Sequence, residues 1–428
     1  MRFFLAILVG KFISYLTKTL RFGGGSAAPG LYALKVDPNL VEKLIQKIPK
    51  NIVVTGTNGK TTTARMISNF ATESELKVIR NHTGSNLERG IASTLISHTS
   101  SHLTRLDYDL GVWELDEAAF NTVAPKLNPD IIVFLNVSRD QLDRYGELDK
   151  VVNMWCETLV HLDPKTIVLI NADDPSLGKL EKHFKGTVIK FGKKNIKNIR
   201  TKGLAGSFFD LEVNNIRLAI DLPLPGLYHI YDFLAAFYTG DKLNFSDKDM
   251  ISSLKNFTPA FGRVEKFELQ PLRLHRKNNG YIFLIKNPAG ATQVFETLAP
   301  SLKPQDRLLI ALNDNLADGT DVSWIWDAEW ERLLVTGSRY QVVCSGIRAH
   351  DLALRLKYAG FSSKGQLASS WNSKQITIEP DLEKAFQDAQ RGLKGTLYVL
   401  PTYTAMLGLQ RILTKAGVKE SYWKEKGT

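Results

Sequence analysis

The sequence predicts an α/β protein with two Rossmann-like domains, and three observations support this class. Short apolar runs alternate with helical stretches from residue 50 to residue 171, and a second series of this kind begins at residue 281. This alternation is typical of parallel strands that are connected by crossover helices. A glycine-rich turn joins the first apolar run to the start of a helix, as in nucleotide-binding α/β domains. With 428 residues, the chain is long enough for two or three domains.

These patterns divide the chain into an N-terminal helix and linker (1–45), a central nucleotide-binding domain (46–266) and a C-terminal α/β domain (267–428). The expected strands of the central sheet are 52–54, 77–79, 110–114, 131–136 and 166–171. After residue 185 the pattern changes to a smaller β sub-region with strands 187–191, 208–213 and 216–220, followed by a helix at 231–243. The expected C-terminal elements are strands 282–285, 307–312, 333–336, 341–345 and 396–401 and helices 349–359 and 381–392.

The N-terminal segment predicts an amphipathic helix. Its first ten residues are mostly apolar, but Lys11 interrupts the run, which leaves it short of the ~18 to 20 apolar residues that a bilayer-spanning helix needs. The glycine-rich stretch 23–26 predicts a flexible connection. Two locations for the helix stay open: the membrane surface or the body of the protein.

Composition indicates a folded protein, because 43% of the residues are hydrophobic and 23% are charged. The net charge of +11 suits an anionic membrane surface or a polyphosphate substrate. Nucleic acid is not predicted, because the basic stretch 185–202 lacks interleaved aromatic residues apart from Phe191. The two cysteines, Cys156 and Cys344, provide neither a disulfide framework nor a zinc-ligand pattern, which fits the cytoplasm and predicts no zinc.

The strongest functional signal is the run 55–62 that follows the first strand. Its candidate ATP-binding residues are Gly56, Thr57, Asn58, Gly59, Lys60, Thr61 and Thr62. Glycines let the backbone approach phosphates, the lysine reaches the β- and γ-phosphates, and Thr61 provides a hydroxyl for Mg²⁺. The spacing departs from the usual GxxxxGK[ST] loop, because residue 54 is Val rather than Gly.

Acidic and amide residues follow three later strands. One carboxylate among Glu114, Asp116 and Glu117 is predicted to hold Mg²⁺ with Thr61, because strand ends border the ligand crevice of open α/β sheets. Asn171 and Asp174 are predicted to contact nucleotide. Two structural alternatives remain open: an acidic cap at a helix start and an ordinary turn.

The motifs resemble those of the Mur ligases and folylpolyglutamate synthases, in the same order along the chain. The resemblance rests on the loop 56–62, Glu114, the polar run 136–143, the run 171–175 and Gly262–Glu265. In the C-terminal half, the stretches 286–290, 312–327, 348–360 and 403–405 resemble the MurT branch of this family. The glycine-rich stretch 23–30 fits that branch too.

The resemblance implies an ATP- and Mg²⁺-dependent ligase subunit that amidates the D-glutamate α-carboxylate of the lipid II stem peptide through an acyl phosphate. Ammonia would come from a GatD-type glutaminase subunit, and the product would be D-isoglutamine. Lys60 and Arg263 would stabilise the transferred phosphoryl group, and Thr61 and Glu114 would hold the metal. Asp321 best matches the acidic residue thought to assist the glutaminase, with Asp327 as the alternative. The implied location is the cytoplasm, including the inner face of the membrane.

Several departures refine this resemblance. Phe283 and Lys286 stand where amino-acid-adding relatives carry Asp and His, which argues against amino-acid addition. Many relatives carry four zinc-binding cysteines in the middle domain, at the position expected to correspond to Gly192–Phe209. This chain has no cysteine in that stretch. His229 and Asp232 replace the usual two asparagines that contact nucleotide. Two other functions stay open: an amino-acid-adding Mur or folylpolyglutamate-type ligase, and a nucleotide-binding scaffold without catalysis.

Overall fold

The structure is a computed structural model that describes residues 1–19, 27–81, 85–100, 105–139, 148–259, 263–269, 278–334, 340–361 and 376–417. The predicted flexible connection at 23–26, residues 140–143 of the polar run 136–143, Gly262 and residues 335–336 of an expected strand lie outside the described residues.

The first sheet consists of six parallel strands in the order β2-β3-β1-β4-β5-β6. Both faces of its central strand are buried, since Ile52 and Val54 pack into one core and Val53 into the other. Burial on both faces explains why the strand reads as a continuous apolar run. The strands are β1 (Lys50–Thr55), β2 (Val78–Arg80), β3 (Leu110–Leu115), β4 (Ile131–Phe134), β5 (Ile167–Asn171) and β6 (Thr187–Phe191).

The last of these strands corrects the sequence prediction. Residues 187–191 were assigned to the small β sub-region, whereas β6 pairs in parallel with β5 at the edge of the main sheet. Half of this strand faces solvent, and Lys190 forms an ion pair with Glu181. Because Lys190 faces solvent, the sequence of β6 resembles the basic region that follows it. The strand nevertheless pairs with β5 of the main sheet.

Helices cover both faces of the first sheet, which makes it a doubly wound layer. The helices of this region are α1 (Arg2–Thr19), α2 (Ala28–Val36), α3 (Leu40–Ile45), α4 (Lys60–Glu73), α5 (Glu88–His98), α6 (Glu117–Leu127), α7 (Leu148–Val160), α8 (Gly178–Glu181), α9 (Leu227–Lys242) and α10 (Asp247–Ser253). Short 3₁₀ turns occur at Pro175–Leu177, Lys193–Asn195, Gly203–Ala205 and Leu254–Asn256.

A separate antiparallel sheet of three strands follows: β7 (Ile196–Thr201), β8 (Ser207–Val213) and β9 (Ile216–Leu222). The predicted sub-region is therefore present, but β7 was not predicted. Five of its six residues are exposed, so it lacks the apolar alternation that marks a half-buried strand. Phe209, Leu211 and Ile220 join the core beneath the first sheet.

The C-terminal sheet has the order β10-β11-β15-β12-β13-β14 and is parallel except for the antiparallel pair β10 and β11. Its strands are β10 (Arg263–Leu269), β11 (Asn278–Phe283), β12 (Arg307–Ala311), β13 (Gln341–Ser345), β14 (Ile376–Ile378) and β15 (Leu397–Pro401). Its helices are α11 (Pro288–Leu298), α12 (Trp324–Asp327), α13 (Ala349–Tyr358), α14 (Leu382–Gln390) and α15 (Tyr403–Lys415), with 3₁₀ turns at Ala299–Ser301 and Trp330–Leu333.

Two findings bear on the predicted organisation of this part. The prediction of a strand at 333–336 is wrong for Leu333, which ends a 3₁₀ turn. Trp330 of this turn packs against Phe295, with ring centroids 4.5 Å apart. The boundary predicted between residues 266 and 267 falls inside β10. Arg263, the first residue of β10, therefore belongs to the second sheet and lines a cavity beside Asn58 and Gly59 of the glycine-rich loop.

Candidate nucleotide-binding site

The glycine-rich loop lies between the end of β1 at Thr55 and the start of α4 at Lys60. Two glycines have backbone angles that side chains rarely adopt: Gly56 has φ of +137° and Gly59 has φ of +90°. A Cβ atom on Gly59 would lie 2.1 Å from Oδ1 of Asp232. Only glycine fits there, because both the conformation and the close neighbour exclude a side chain.

Asn136, just after β4, holds this loop in place. Its backbone carbonyl accepts a hydrogen bond from the Thr57 N–H at 3.0 Å. Its side chain accepts from the Asn58 N–H and donates to the Asn58 carbonyl, both at 2.9 Å. The Thr57 hydroxyl accepts from the Ser138 N–H at 3.0 Å. The carboxyl ends of two adjacent strands thus fix the loop before any ligand binds.

Lys60 lies at the first turn of α4 and is only 7% exposed. Its ammonium group donates to the Gly56 carbonyl at 2.5 Å. Two carboxylates compensate its charge, with distances of 3.7 Å to Asp116 and 3.6 Å to Glu117. Of the three acidic residues at the end of β3, Asp116 and Glu117 therefore face Lys60.

Glu114, the third of these acidic residues, faces Thr61. The Thr61 hydroxyl donates to its Oε2 atom at 2.7 Å, while its Oε1 atom is buried with no hydrogen-bond partner in the described parts of the chain. Burial raises the pKa of Glu114, and the Thr61 hydrogen bond together with the charges of Arg80, Arg263 and Lys60 opposes that shift. The structure thus brings together the two residues predicted to hold Mg²⁺.

These residues fit a magnesium site. Mg²⁺ commonly uses one or two protein oxygens and completes its shell with water and phosphate oxygens. A buried carboxylate oxygen without a partner, beside a threonine hydroxyl at a helix start, offers such ligands. No group of three or more His, Cys, Asp or Glu side chains with metal-binding geometry occurs among the described residues. Thr61 and Glu114 would therefore act with the nucleotide rather than as a closed protein cage.

Sequence reasoning did not single out Asn81, which orients Glu114. Its side-chain oxygen accepts from the Glu114 N–H at 2.8 Å, and its amide donates to the Glu114 carbonyl at 3.0 Å. Asn81 is fully buried and directly follows β2. Its position at a strand end next to β3 was the available signal.

A buried histidine–aspartate pair closes the other side of the loop. His229 Nδ1 and Asp232 Oδ2 lie 3.0 Å apart on α9, and His229 Nε2 has no hydrogen-bond partner among the described residues. Burial raises the pKa of Asp232, while His229 and the charge of Arg263 oppose the shift. Of this pair, Asp232 therefore lies directly against Gly59 of the loop, and His229 contacts Asp232.

The two large domains meet at this loop. Asn287 donates to the Asn58 side-chain oxygen at 3.1 Å and also caps α11 by accepting from the Gly290 N–H at 2.8 Å. A cavity of about 50 Å³ lies beside this contact, lined among others by His229, Arg263 and Lys286. A nucleotide needs several hundred Å³, roughly 300 Å³ or more, so the cavity is only one part of the cleft.

The other predicted nucleotide residues carry structural hydrogen bonds. The Asn171 amide donates to the Leu135 carbonyl at 3.0 Å. Asp174 accepts from the Val137 N–H at 2.8 Å and from the Ser176 N–H at 3.0 Å. These bonds connect the ends of β4 and β5, and nucleotide contact by Asn171 and Asp174 remains a prediction.

The two candidate carboxylates of the C-terminal domain differ in their surroundings. Asp321 accepts from the Ser323 N–H at 2.8 Å. Hydrogen bonding from Ser323, first from its side chain and then from its backbone, lowers the pKa of Asp321 more than the charge of Arg139 does. Asp327 forms an ion pair with Arg139 of the central domain. The nearby Asp318 is buried and accepts from the Thr404 N–H at 2.7 Å.

Comparisons with known proteins agree with this architecture. The Mur ligase middle domain family matches residues 54–240, and the MurT ligase C-terminal family matches residues 284–406. The MurF ligase of Acinetobacter baumannii has a similar structure, with a TM-score of 0.68 at 16% identity over 90% of this chain and 80% of that chain. A folylpolyglutamate synthase of Mycobacterium tuberculosis, solved with ADP and AMPPCP, has a TM-score of 0.65 at 15% identity over 89% and 95%.

The fold is therefore that of the Mur ligases, which confirms the predicted fold class. Two MurT subunits of lipid II isoglutaminyl synthase (glutamine-hydrolyzing) are similar over nearly the whole chain. The protein of Staphylococcus aureus (strain COL) is 28% identical over 92% of this chain and 93% of its own length. That of Streptococcus pneumoniae (strain ATCC BAA-255 / R6) is 28% identical over 96% of both. The chain is thus similar to MurT subunits over nearly its whole length, and its two large domains match the Mur ligase middle-domain and MurT C-terminal families.

Proposed function

We propose that this chain is the ATP-dependent ligase subunit that amidates the α-carboxylate of the D-glutamate residue in the lipid II stem peptide. The observation that carries the proposal is the Thr61–Glu114 hydrogen bond beside the buried Lys60, because it places the two proposed metal ligands next to the proposed phosphate-binding charge. Arg263 and Asn287 bring the C-terminal domain onto the same loop.

The proposed reaction has two steps. A carboxylate oxygen attacks the γ-phosphorus of ATP, which breaks the bond to ADP and forms an acyl phosphate. Ammonia then attacks the carbonyl carbon, phosphate leaves with the former carboxylate oxygen, and the nitrogen loses a proton to give the amide. Mg²⁺, when bound, neutralises phosphate charge.

Lys60 and Arg263 supply fixed positive charge where negative charge spreads over the transferred phosphoryl group. In the structure, Lys60 is balanced by Asp116 and Glu117. Binding of phosphates would replace these weaker contacts, since both exceed 3.5 Å. The loop N–H groups that Asn136 fixes would receive the phosphate oxygens without further ordering of the backbone.

Ammonia has to come from another subunit or from solution. Both cysteines are buried, and burial raises the pKa of the Cys344 thiol to about 12. Such a thiol holds almost no nucleophilic thiolate at neutral pH. We assign the glutaminase reaction to a GatD-type partner, with Asp321 as the residue that assists it.

Exposed aromatic side chains in and beside α12, which begins three residues after Asp321, suit a partner subunit. Trp326 and Tyr358 are 49% and 73% exposed, and their rings contact each other with centroids 5.7 Å apart. Arg355 lies over the Trp326 ring at 5.7 Å. Exposed aromatic residues next to arginine are typical of protein interfaces.

Amino-acid addition fits the site less well. Phe283 is buried at the end of β11, where the amino-acid-adding relatives have an aspartate, so that position offers no carboxylate for an incoming amino acid. Lys286 lines the cavity between the domains in place of a histidine.

The test is a reaction with the purified chain, ATP, Mg²⁺ and lipid II. We expect amide and ADP in equal amounts with ammonium, and glutamine-driven amidation only when the glutaminase subunit is added. Product that appears only when a free amino acid is supplied would indicate an amino-acid-adding ligase. Nucleotide binding without ADP formation, with the partner present, would indicate a scaffold.

A further inference from the structure

We propose that the outward face of the N-terminal helix binds an anionic phospholipid surface. We call this the outer face of α1 and define it by six exposed apolar residues: Phe4, Leu5, Leu8, Phe12, Tyr15 and Leu16. The proposal rests on the function proposed above, because it explains how the ligase would reach a membrane-bound substrate.

The opposite face of α1 is firmly attached to the protein. Ala6 and Ile7 are fully buried in the core into which Val53 packs, on the face of the first sheet opposite the antiparallel sheet. A Cβ atom on Gly10 would lie 2.6 Å from Ile96 of α5, so the helices touch backbone to side chain. Lys11 donates to the Thr99 carbonyl at 2.8 Å and thereby caps the end of α5. The helix is therefore part of the folded body and presents a fixed outer surface.

The exposed apolar residues form a continuous stripe. At about 100° per residue, the six positions fall within an arc of roughly 120°. The buried positions 6, 7 and 10 lie on the other side of the helix. Phe12 and Tyr15 are 63% and 67% exposed. A stripe of this length on one helix exceeds scattered surface hydrophobicity and marks an interaction site.

Charge identifies the partner as an anionic bilayer rather than a protein. Besides Lys11, which bonds the Thr99 carbonyl, the first 36 residues contain four Lys or Arg and no Asp or Glu. Apolar residues on one helix face together with purely basic charge are typical of helices that lie in the headgroup layer. None of the helices in the described segments is long and apolar enough to cross a membrane.

α5, on which α1 packs, also extends toward the proposed phosphate site. α5 begins at Glu88, and the neighbouring Asn86 donates to Asp116 at 3.2 Å. Asp116 in turn faces Lys60. α5 has 11 residues and thus extends about 16 Å between its contact with α1 and the residues that lead to the phosphate site. The helix that would rest on the bilayer is therefore connected to the phosphate site by a single rigid element.

The test is co-sedimentation of the full chain with vesicles that contain no lipid II. We expect binding to vesicles rich in phosphatidylglycerol and weak binding to pure phosphatidylcholine. The double substitution Leu8→Gln and Phe12→Gln should reduce the partition constant at least about tenfold, because two apolar side chains lose their lipid contact. Ile216→Gln is the control, because Ile216 on β9 is 53% exposed, close to the 52% of Leu8. This variant should bind vesicles as the wild type does.

Equal vesicle binding by the double variant and the wild type would overturn the proposal, as would absence of wild-type binding to anionic vesicles. A lower oligomer mass of the double variant in light scattering, with vesicle binding unchanged, would assign the face to a second copy instead. Because the assay requires no catalysis, binding without amidation would refute only the proposed reaction. Amidation without vesicle binding would refute only the outer-face proposal.

Discussion

Arg139, just after β4 of the first sheet, forms an ion pair with Asp327 of the C-terminal domain. The pair spans the two large domains, next to the strand end whose Asn136 holds the phosphate loop. It also separates the two carboxylates that the sequence proposed for the glutaminase reaction. Asp327 is bound to Arg139 of the same chain, whereas Asp321 accepts a hydrogen bond from the backbone of Ser323 in its own turn.

We therefore expect Asp321→Asn and Asp327→Asn to differ. Asp321→Asn should lower glutamine-driven amidation by about 10²-fold or more and leave ammonium-driven amidation near wild type, because only the histidine of the partner loses its orienting carboxylate. Asp327→Asn should change both rates equally and by only a few fold, since a half-exposed ion pair contributes about 0–1 kcal/mol. Rates with each nitrogen source check this, and the reverse pattern would transfer the glutaminase role to Asp327.

Thr61 tests the metal site. Thr61→Val keeps the shape but removes the hydroxyl that bonds Glu114, so we expect a loss of about 10²-fold in rate and a higher Mg²⁺ requirement. Thr61→Ser keeps the hydroxyl and should stay within a few fold of wild type. The measurement is the rate as a function of Mg²⁺ concentration. An unchanged Mg²⁺ requirement in Thr61→Val would show that the metal binds elsewhere.

Gly59 tests the fit of the phosphate loop. Gly59→Ala should abolish measurable ATP binding, because the new Cβ would meet Asp232 at 2.1 Å. Gly392→Ala is the matched control: Gly392 also has positive φ, at +71°, but no atom lies within 4 Å of an added Cβ. It should carry only a backbone cost of about 1–2 kcal/mol. Calorimetric titration with ATP analogues checks both, and normal affinity in Gly59→Ala would contradict the loop geometry.

Asn287 tests the contact between domains. Asn287→Ala removes both the cap of α11 and the bond to Asn58, whereas Asp381→Ala removes only a cap, that of α14 at Lys384. Each should lower stability by about 1 kcal/mol. Only Asn287→Ala should also reduce ammonium-driven turnover, because the C-terminal domain loses its hold on the phosphate loop. Equal turnover in the two variants would show that this contact does not serve catalysis.

Much of the site could be predicted from sequence because it depends on local order along the chain. The strand, the glycines and Lys60 are consecutive, so their geometry follows from a single turn. The pairing of Thr61 with Glu114 also followed, since parallel strands place their carboxyl ends at one edge. Asn81 was missed although it obeys the same rule, because β2 has only three residues and gives a weak pattern.

Elements that depend on packing between distant segments could not be predicted in the same way. The apolar run beginning at Leu333 resembles a strand, but Trp330 donates to the Ile325 carbonyl at 2.8 Å and packs on Phe295, which favours a 3₁₀ turn. The edge strand β6 reads as part of a basic region because its partner is on one side only. Sequence also left two places open for α1, and the structure shows one face packed on α5.

The central claim is that the carboxylate is activated as an acyl phosphate at Lys60. It is tested most directly by amidating lipid II whose D-glutamate α-carboxylate carries ¹⁸O in both oxygens, with ATP, Mg²⁺ and ammonium. The account predicts that each amide formed is matched by one phosphate that contains ¹⁸O, and that Lys60→Ala forms neither product. Amide with unlabelled phosphate, or labelled phosphate formed at an undiminished rate by Lys60→Ala, would contradict it.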